Sequence, residues 1–339
     1  MPKSVELNPA IEMREMITGF WLSQAIYVAA KLNLAELIGD SEKSSDELSR
    51  ICQTNSEMIY RLLRALASRG IFKETSPGKF VATSKSNWLR ETSRGSLRHY
   101  AIMYGEEAYQ NFSSLYDAVV TGEVAFPQNF GQPFFDYLKS HPESGETFRK
   151  AMIDISQIQA ISIAEDYDFS NIESLVDIGG GSGTVLFELM RKYPNLKGTV
   201  FDLPEVVNKA KDNTPIELQE RCDWLSGDFF KTVPRGADAY LLKYILHDWP
   251  DEACITLLRQ CRDAAHSKTK LLIVEQVISA GNEPLFAKLA DLHMHLILGA
   301  KERTADHFDQ LLKQSGFECL SMKATQNFLT IIEARPTLP

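Results

Sequence analysis

The stretch Leu175-Val176-Asp177-Ile178-Gly179-Gly180-Gly181-Ser182-Gly183 decides the fold. A short apolar run, interrupted only by Asp177, enters a glycine cluster, and Leu186, Leu189 and Met190 then recur at helical spacing. Strand, tight turn and helix in that order are the setting of a nucleotide-binding loop. Glycine lets such a loop bend sharply and lets a ligand approach the backbone without meeting a Cβ. Asp202 stands 19 residues beyond Gly183, at the end of a second strand over Gly198–Phe201. A carboxylate there matches the paired hydroxyls of a ribose.

Downstream, Ala239–Leu242 and Leu271–Val274 read as further apolar strands, and Asn327–Glu333 as a last strand with alternating faces. Strands alternating with helical segments of ten to fifteen residues predict an α/β fold with a doubly wound, mainly parallel, Rossmann-like sheet over residues 166–339. Before about residue 165 the pattern is mostly helical. Ser45-Asp46-Glu47-Leu48 and Ser56-Glu57-Met58-Ile59 start two helices, the second ending at Gly70. Ile71-Phe72-Lys73, a Pro77-Gly78 turn and Lys79-Phe80-Val81 follow as a hairpin. Two short helices and a hairpin make a winged-helix pattern within residues 1–100; residues 101–165 read as a helical connector.

Ile11–Ala30 is expected to be one helix, and it is apolar nearly all round, with Ile11, Met13, Met16, Ile17, Phe20, Trp21, Ile26 and Val28. Such a helix needs burial beyond its own solvated face. A second subunit is the expected partner, and an internal core position the alternative. Winged helices also bind DNA. Residues 40–94 hold ten Lys or Arg against seven Asp or Glu. That excess is too weak for a nucleic-acid footprint, and the whole chain carries a net charge of −9. The stripe Arg61, Arg64 and Arg69 reads as a solvated face. No run approaches the roughly 18–20 apolar residues of a membrane span. Five scattered cysteines without C-x-x-C spacing suggest reduced thiols and a cytoplasmic protein.

A glycine loop and a ribose acid do not separate NAD from S-adenosylmethionine. The third glycine of a dinucleotide fingerprint would fall at Thr184. A further acid at Gly227-Asp228-Phe229-Phe230, after the next expected strand, suits S-adenosylmethionine better. Asp228 is placed to accept from the adenine amino group, with Phe229 against the ring; the alternative for Asp228 is a turn residue after Gly227. Lys243-Tyr244-Ile245-Leu246-His247-Asp248-Trp249-Pro250 follows the third strand, at the carboxyl edge where such sheets bind ligands. Pro250, Asp251 and Glu252 then begin a helix.

These motifs, with Phe201-Asp202-Leu203-Pro204 and Lys301-Glu302-Arg303-Thr304, stand in the order found in plant and bacterial small-molecule O-methyltransferases, which the chain resembles. Gly19–Gln24 and Gly131–Phe135 resemble that family's N-terminal half, so the likeness spans nearly the whole chain. It implies a homodimer with an N-terminal winged-helix dimerisation domain, and S-adenosylmethionine as cofactor. Gly179, Gly181, Asp202, Leu203, Asp228, Phe229, Lys243 and Trp249 would hold the cofactor. His247 would be the general base, flanked by Glu275 and Glu302. Met103, Phe112, Phe148, Met152, His293 and Met294 would line the acceptor site, the last helix face carrying Phe148, Met152 and Ile155 together.

The implied chemistry suits those residue types. A sulfonium is already electrophilic, so no metal is required, whereas a phenol with a pKa of about 10 must lose its proton as its oxygen attacks. A neutral histidine can take that proton, and a carboxylate behind it holds the tautomer. Departures from the plant pattern at Tyr109, Phe112, Ile155, His293 and His295 all fall on the acceptor side. His293-x-His295 could bind a metal, but no carboxylate-rich motif accompanies it. The expected reaction is methylation of a hydroxyl, phenolic by expectation, of a small secondary metabolite; the alternatives are N- or C-methylation, or decarboxylation, hydroxylation or ring closure on the same fold.

Overall fold

The computed structural model describes residues 8–282 and 286–337. The chain forms two compact units. One comprises the described residues up to Gln110 with Leu138–Ile155; the other comprises Asn111–Tyr137 and everything from Ser156. The stretch expected as a connector, 101–165, is therefore divided between them. The long helix Pro142–Asp166 contributes to both.

In the first unit the expected single helix Ile11–Ala30 is two, Pro9–Ile17 and Gly19–Lys31. Thr18 breaks it with φ −93° and ψ 9°, its hydroxyl donating to the Arg14 carbonyl at 2.9 Å. A side chain that competes for helix carbonyls and a following glycine account for the break. The apolar residues of this segment up to Trp21 stay exposed in the single chain, Met16 at 73%, Ile17 at 67% and Trp21 at 65%, while Ile26 and Val28 are half-buried. The two helices of the winged pattern are Ser45–Cys52 and Ser56–Ala67. Ser44 and Glu47 cap the first reciprocally, and Asn55 accepts from the Met58 N–H at the start of the second. Strand β1 (Lys43–Ser44) pairs with β3 (Lys79–Ala82), which pairs in turn with β2 (Phe72–Ser76). Leu48, Leu63, Leu66, Phe72 and Phe80 pack as the core of this unit.

The second unit is built on a seven-stranded sheet. Its strands are β4 (Ser174–Ile178), β5 (Lys197–Asp202), β6 (Cys222–Ser226), β7 (Ala239–Lys243), β8 (Lys270–Glu275), β11 (Phe317–Ala324) and β12 (Thr330–Pro336). They lie in the order β11-β12-β8-β7-β4-β5-β6. The five strands from β8 to β6 are parallel, and β12 and β11 are added antiparallel. A short parallel pair, β9 (Val277–Ile278) with β10 (Arg303–Thr304), stands apart from the sheet. One sheet face is covered by Leu257, Leu258 and Cys261 of helix Asp251–Ala264 and by Phe308 and Leu312 of helix Ala305–Gln314. Leu186, Leu189 and Met190 of helix Thr184–Lys192 cover the other with Ile163 and Ala164. The chain winds outward from β4 to β6, then returns to β7 on the other side of β4. That reversal opens the crevice in which such sheets bind ligands.

Candidate active site

Five adjacent strand ends meet at that crevice: the glycine loop after β4, Asp202 ending β5, Asp228 after β6, Lys243 ending β7 and Glu275 ending β8. The loop is shaped by backbone. Gly179 has φ +69° and donates to the Phe201 carbonyl at 2.8 Å; a Cβ there would lie 2.4 Å from Ile245 Cδ1. Gly181, at φ +58°, donates its N–H to Asp202 Oδ2 at 2.8 Å, while a Cβ built on it would meet open space. The Leu203 N–H takes the other carboxylate oxygen at 2.7 Å. Asp202 is thus held by one N–H on each oxygen, with lone pairs left to accept from hydroxyls. Burial raises its pKa, against the two N–H groups that lower it. The Leu203 side chain is exposed.

Behind the loop, Asp177 is fully buried, and burial lifts its carboxyl to about 7, with Lys243 opposing. Burial drops Lys243 to about 8, with Asp177 and Glu275 opposing. The Lys243 ammonium donates to Ser156 Oγ at 3.0 Å. Asp228 makes a turn: its Oδ1 accepts from the Phe230 N–H at 3.0 Å, and Oδ2 lies 3.2 Å from Lys231 Nζ. Phe229, Phe230 and Trp249 form an aromatic wall, with Trp249 set edge-on to Phe230 at 4.8 Å and to Phe229 at 6.3 Å.

His247 lies in the 3-10 turn Leu246–Asp248, which is fastened from two sides. On one side Glu275 Oε1 accepts the backbone N–H groups of Ile245 at 3.0 Å, Leu246 at 2.8 Å and His247 at 3.4 Å. On the other the wholly buried Arg303 donates to the carbonyls of Leu246 and Trp249, each at 2.7 Å, and to Asp251 Oδ1. The imidazole Nδ1 meets Glu302 Oε1 at 3.1 Å, and Nε2 lies 3.4 Å from Asp248 Oδ1. Burial alone would lower the imidazole's pKa, but Asp248, Glu275 and Glu302 outweigh it and lift the pKa to about 9. Burial likewise raises Asp248, and it lifts Glu275 to about 7. Glu275 Oε2 and Glu302 Oε2 are buried without a hydrogen-bond partner. The β9–β10 pairing brings the two acids together, since Glu275 precedes β9 and Glu302 precedes β10.

Glu302 therefore touches the imidazole as expected of a flanking acid, whereas Glu275 acts on the backbone that carries it. One ligand atom each from His247, Glu275 and Glu302 lies within 4.8 Å of the others, a group that could also approach a metal ion. His293 and His295 take part in no such group among the described residues.

Of the expected acceptor residues, Phe112, His293 and Met294 lie in the same unit as His247. Phe112 and His293 stack at 5.8 Å with planes 10° apart. Burial, with the His247 charge adding to it, lowers His293 to about 4, so it is neutral. Met103, Phe148 and Met152 belong to the other unit and are half-buried there, Phe148 and Met152 on the helix Pro142–Asp166. The motifs do not single out Arg303 as an organiser of the 246–248 turn, or Asp291, whose Oδ1 accepts the Glu302 N–H at 2.8 Å. An arginine directly after a motif acid was the available signal for the first; the second had none.

Among the described residues no helix is long and apolar enough to cross a membrane. Residues 112–318 match the family profile of the O-methyltransferase domain, and residues 14–92 that of the O-methyltransferase dimerisation domain. The phenazine O-methyltransferase PhzM of Lysobacter antibioticus is 42% identical over 323 residues, 95% of each chain. The phenazine-1-carboxylate N-methyltransferase of Pseudomonas aeruginosa is 32% identical, over 92% of each chain. The solved structure of human N-acetylserotonin methyltransferase with S-adenosylmethionine superposes with a TM-score of 0.91 at 28% identity, over 99% of this chain and all of that one. With a mainly parallel sheet, a cofactor loop and a dimerisation domain all in place, the chain belongs to the S-adenosylmethionine-dependent O-methyltransferase family of small-molecule, secondary-metabolite enzymes.

Proposed function

We propose that the protein methylates a phenolic hydroxyl of a small, flat aromatic secondary metabolite, with His247 as general base. The observation that carries this reading is the His247 Nδ1 contact to buried Glu302, on a turn that Glu275 and Arg303 hold from opposite sides. The cofactor fits the crevice: Gly181 leaves open space where a side chain would stand, and Asp202 keeps acceptor capacity beyond its two N–H contacts. Gly179, Gly181, Asp202, Leu203, Asp228, Phe229, Lys243 and Trp249 would hold S-adenosylmethionine, whose sulfonium supplies an electrophilic methyl group.

The chain's own work is then on the acceptor. Glu302 accepts from Nδ1–H, which leaves the Nε2 lone pair to receive the phenol proton. An imidazolium near 9 stands within about one unit of a phenol, so the transfer is close to balanced. Base catalysis of this kind accounts for about 10²–10⁴-fold in rate. Phe112, His293 and Met294 would be acceptor contacts in the unit that carries His247; a neutral His293 can exchange a hydrogen bond with a ring heteroatom or carbonyl beside the hydroxyl. The five cysteines are free thiols, in keeping with a cytoplasmic enzyme.

A second reading, N-methylation, has the Pseudomonas relative behind it. A ring nitrogen already offers its lone pair and needs no base. Incubation with methyl-labelled S-adenosylmethionine and a panel of phenols, hydroxyphenazines and ring-nitrogen heterocycles separates the two. O-methylation should be lost in His247→Gln, by about 10²-fold or more, with cofactor affinity kept. Label on nitrogen alone, undiminished in that variant, would overturn the hydroxyl reading. Cofactor binding with no label on any acceptor would point to non-methylating chemistry.

A further inference from the structure

Tyr244 is one of four described non-glycine residues with positive φ, at +53°, and it sits between the cofactor lysine and the base. An L-residue in left-handed backbone is strained and persists only where its surroundings over-determine it. Here they do. The Tyr244 N–H donates to the Val274 carbonyl at 3.1 Å. Its hydroxyl receives the side-chain amides of buried Gln159 at 3.3 Å and Gln276 at 3.2 Å. The carbonyl oxygens of both amides are buried without partners, so a half-turn of either amide gives the phenol proton an acceptor.

So anchored, the ring stacks on the His247 imidazole, with centroids 4.8 Å apart and planes 22° apart. The Lys243 ammonium lies 4.9 Å from the same ring centroid. Glu302 at Nδ1 and the longer approach of Asp248 to Nε2, at 3.4 Å, hold the imidazole by its edge and leave its tilt less constrained. A second ring lying flat against its face constrains that tilt.

We propose that Tyr244 is a positioning residue for the base: its anchored ring sets the plane of the His247 imidazole so that Nδ1 stays on Glu302 while Nε2 faces the acceptor hydroxyl. The proposal rests on His247 being the base. The face of an aromatic ring also favours a cation beside it, so the stack steadies the imidazolium formed when the proton arrives. Its left-handed backbone turns the chain directly after β7, bringing Lys243 and His247 to the same ring from one strand end.

The test compares Tyr244→Asn, Tyr244→Phe and His247→Gln, with the double variant Tyr244→Asn/His247→Gln. Asparagine tolerates left-handed backbone and removes the ring, so it isolates the stack from the strain. Tyr244→Asn should lower kcat about 10–100-fold, a share of the base's own 10²–10⁴. It should leave the dissociation constant of S-adenosylmethionine within about threefold, since cation–π contact with Lys243 is worth only that order. The acid limb of its pH–rate profile should move to lower pH, because the imidazolium loses its favourable neighbour. Tyr244→Phe keeps the ring and should restore most of kcat. In the His247→Gln background the Asn change should add less than about a twofold loss, as expected for two groups acting as one.

A folded Tyr244→Asn with unchanged kcat and pH midpoint, or losses that multiply in the double variant, would overturn the proposal. Should Asn prevent folding, Tyr244→His, which keeps a stacking ring and tolerates positive φ, must retain turnover for the proposal to stand. Near-normal turnover in His247→Gln alone is a different outcome: it removes the base reading itself.

Discussion

The two halves of the crevice are made by different means. On the cofactor half the decisive groups are backbone: glycines at φ +69°, +58° and +74°, with Asp202 fastened by neighbouring N–H groups. On the base half they are buried side chains from distant segments, Glu275, Glu302 and Arg303, reaching across to the turn 246–248. The first half consists of partly exposed loops with room for a ligand. The second is a polar network without slack. A moving cofactor needs an open cradle, whereas a proton acceptor needs a fixed direction.

The sharpest way to break the comparison is Arg303→Met. The variant removes the charged donor shared by the carbonyls of Leu246 and Trp249 and by Asp251, whose carboxyl the hydrogen bonds from Lys301, Arg303 and His307 hold well below the usual range against its own burial. Hydrogen bonds donated by a charged group are worth about 1.5–3 kcal/mol each, and only the guanidinium is wholly buried here. A large drop in the denaturation midpoint, with turnover lost at temperatures where the chain is still folded, is the expected result in a thermal melt and an assay run in parallel. An unchanged melt would show that the turn is held from the Glu275 side alone.

Glu302→Gln comes next and spares the fold. Glutamine still offers Nδ1 an acceptor oxygen but removes the charge, and turnover should fall about tenfold or more through the weaker hold on the imidazolium. The sign for pH follows from the raised value near 9: the base is active above its pKa, so rate climbs with pH through that limb. Because Glu302 contributes to the upward shift, its neutralisation moves the limb to lower pH. A pH–rate profile with the limb unmoved would mean that Glu302 serves packing only.

How much of each half was legible follows the same division. The glycine loop and Asp202 were readable because their chemistry depends on local spacing, strand then turn then helix, with the acid one strand later. His247 and the two acids were placed through the order of motifs, but the distinct task of Glu275 was not, nor was the grip of Arg303. Those contacts span 28 to 57 residues and depend on the β9–β10 pairing, which leaves two residues in each strand and no periodic signal. The edge strand β11 was missed for a related reason: only Phe317 of its eight residues is buried, so alternation is absent. The break at Thr18 was hidden by an apolar pattern that runs through it, since burial on a partner sets that pattern and local capping sets the break.

Gly179→Ala probes the cofactor half. The added methyl faces φ +69° and Ile245 Cδ1 at 2.4 Å. The loop or Ile245 must shift to admit the methyl, and the displaced cradle should hold S-adenosylmethionine roughly tenfold more weakly, about 1.4 kcal/mol, readable by calorimetry. The melt should shift less than in Arg303→Met because the loop is only partly buried. Equal cofactor affinity in both proteins would deny the loop its cradle role.

The smallest effect, and the finest cut between the halves, is expected from Glu275→Gln. Its Oε1 accepts three backbone N–H groups, and an amide oxygen can take the same three. Burial already lifts Glu275 to about 7, so near neutrality the native side chain spends much of its time as the uncharged acid that glutamine imitates. Turnover should stay within about threefold of the parent, in contrast to Glu275→Ala, which orphans three buried donors at about 1–3 kcal/mol each. The acid limb should move modestly to lower pH above 7, where the native carboxylate is ionised and supports the imidazolium, and coincide with the parent below it. A loss in Glu275→Gln as deep as in Glu302→Gln would show that both acids act on the imidazole by charge. The turn would then be held by electrostatics rather than by the geometry of its N–H groups.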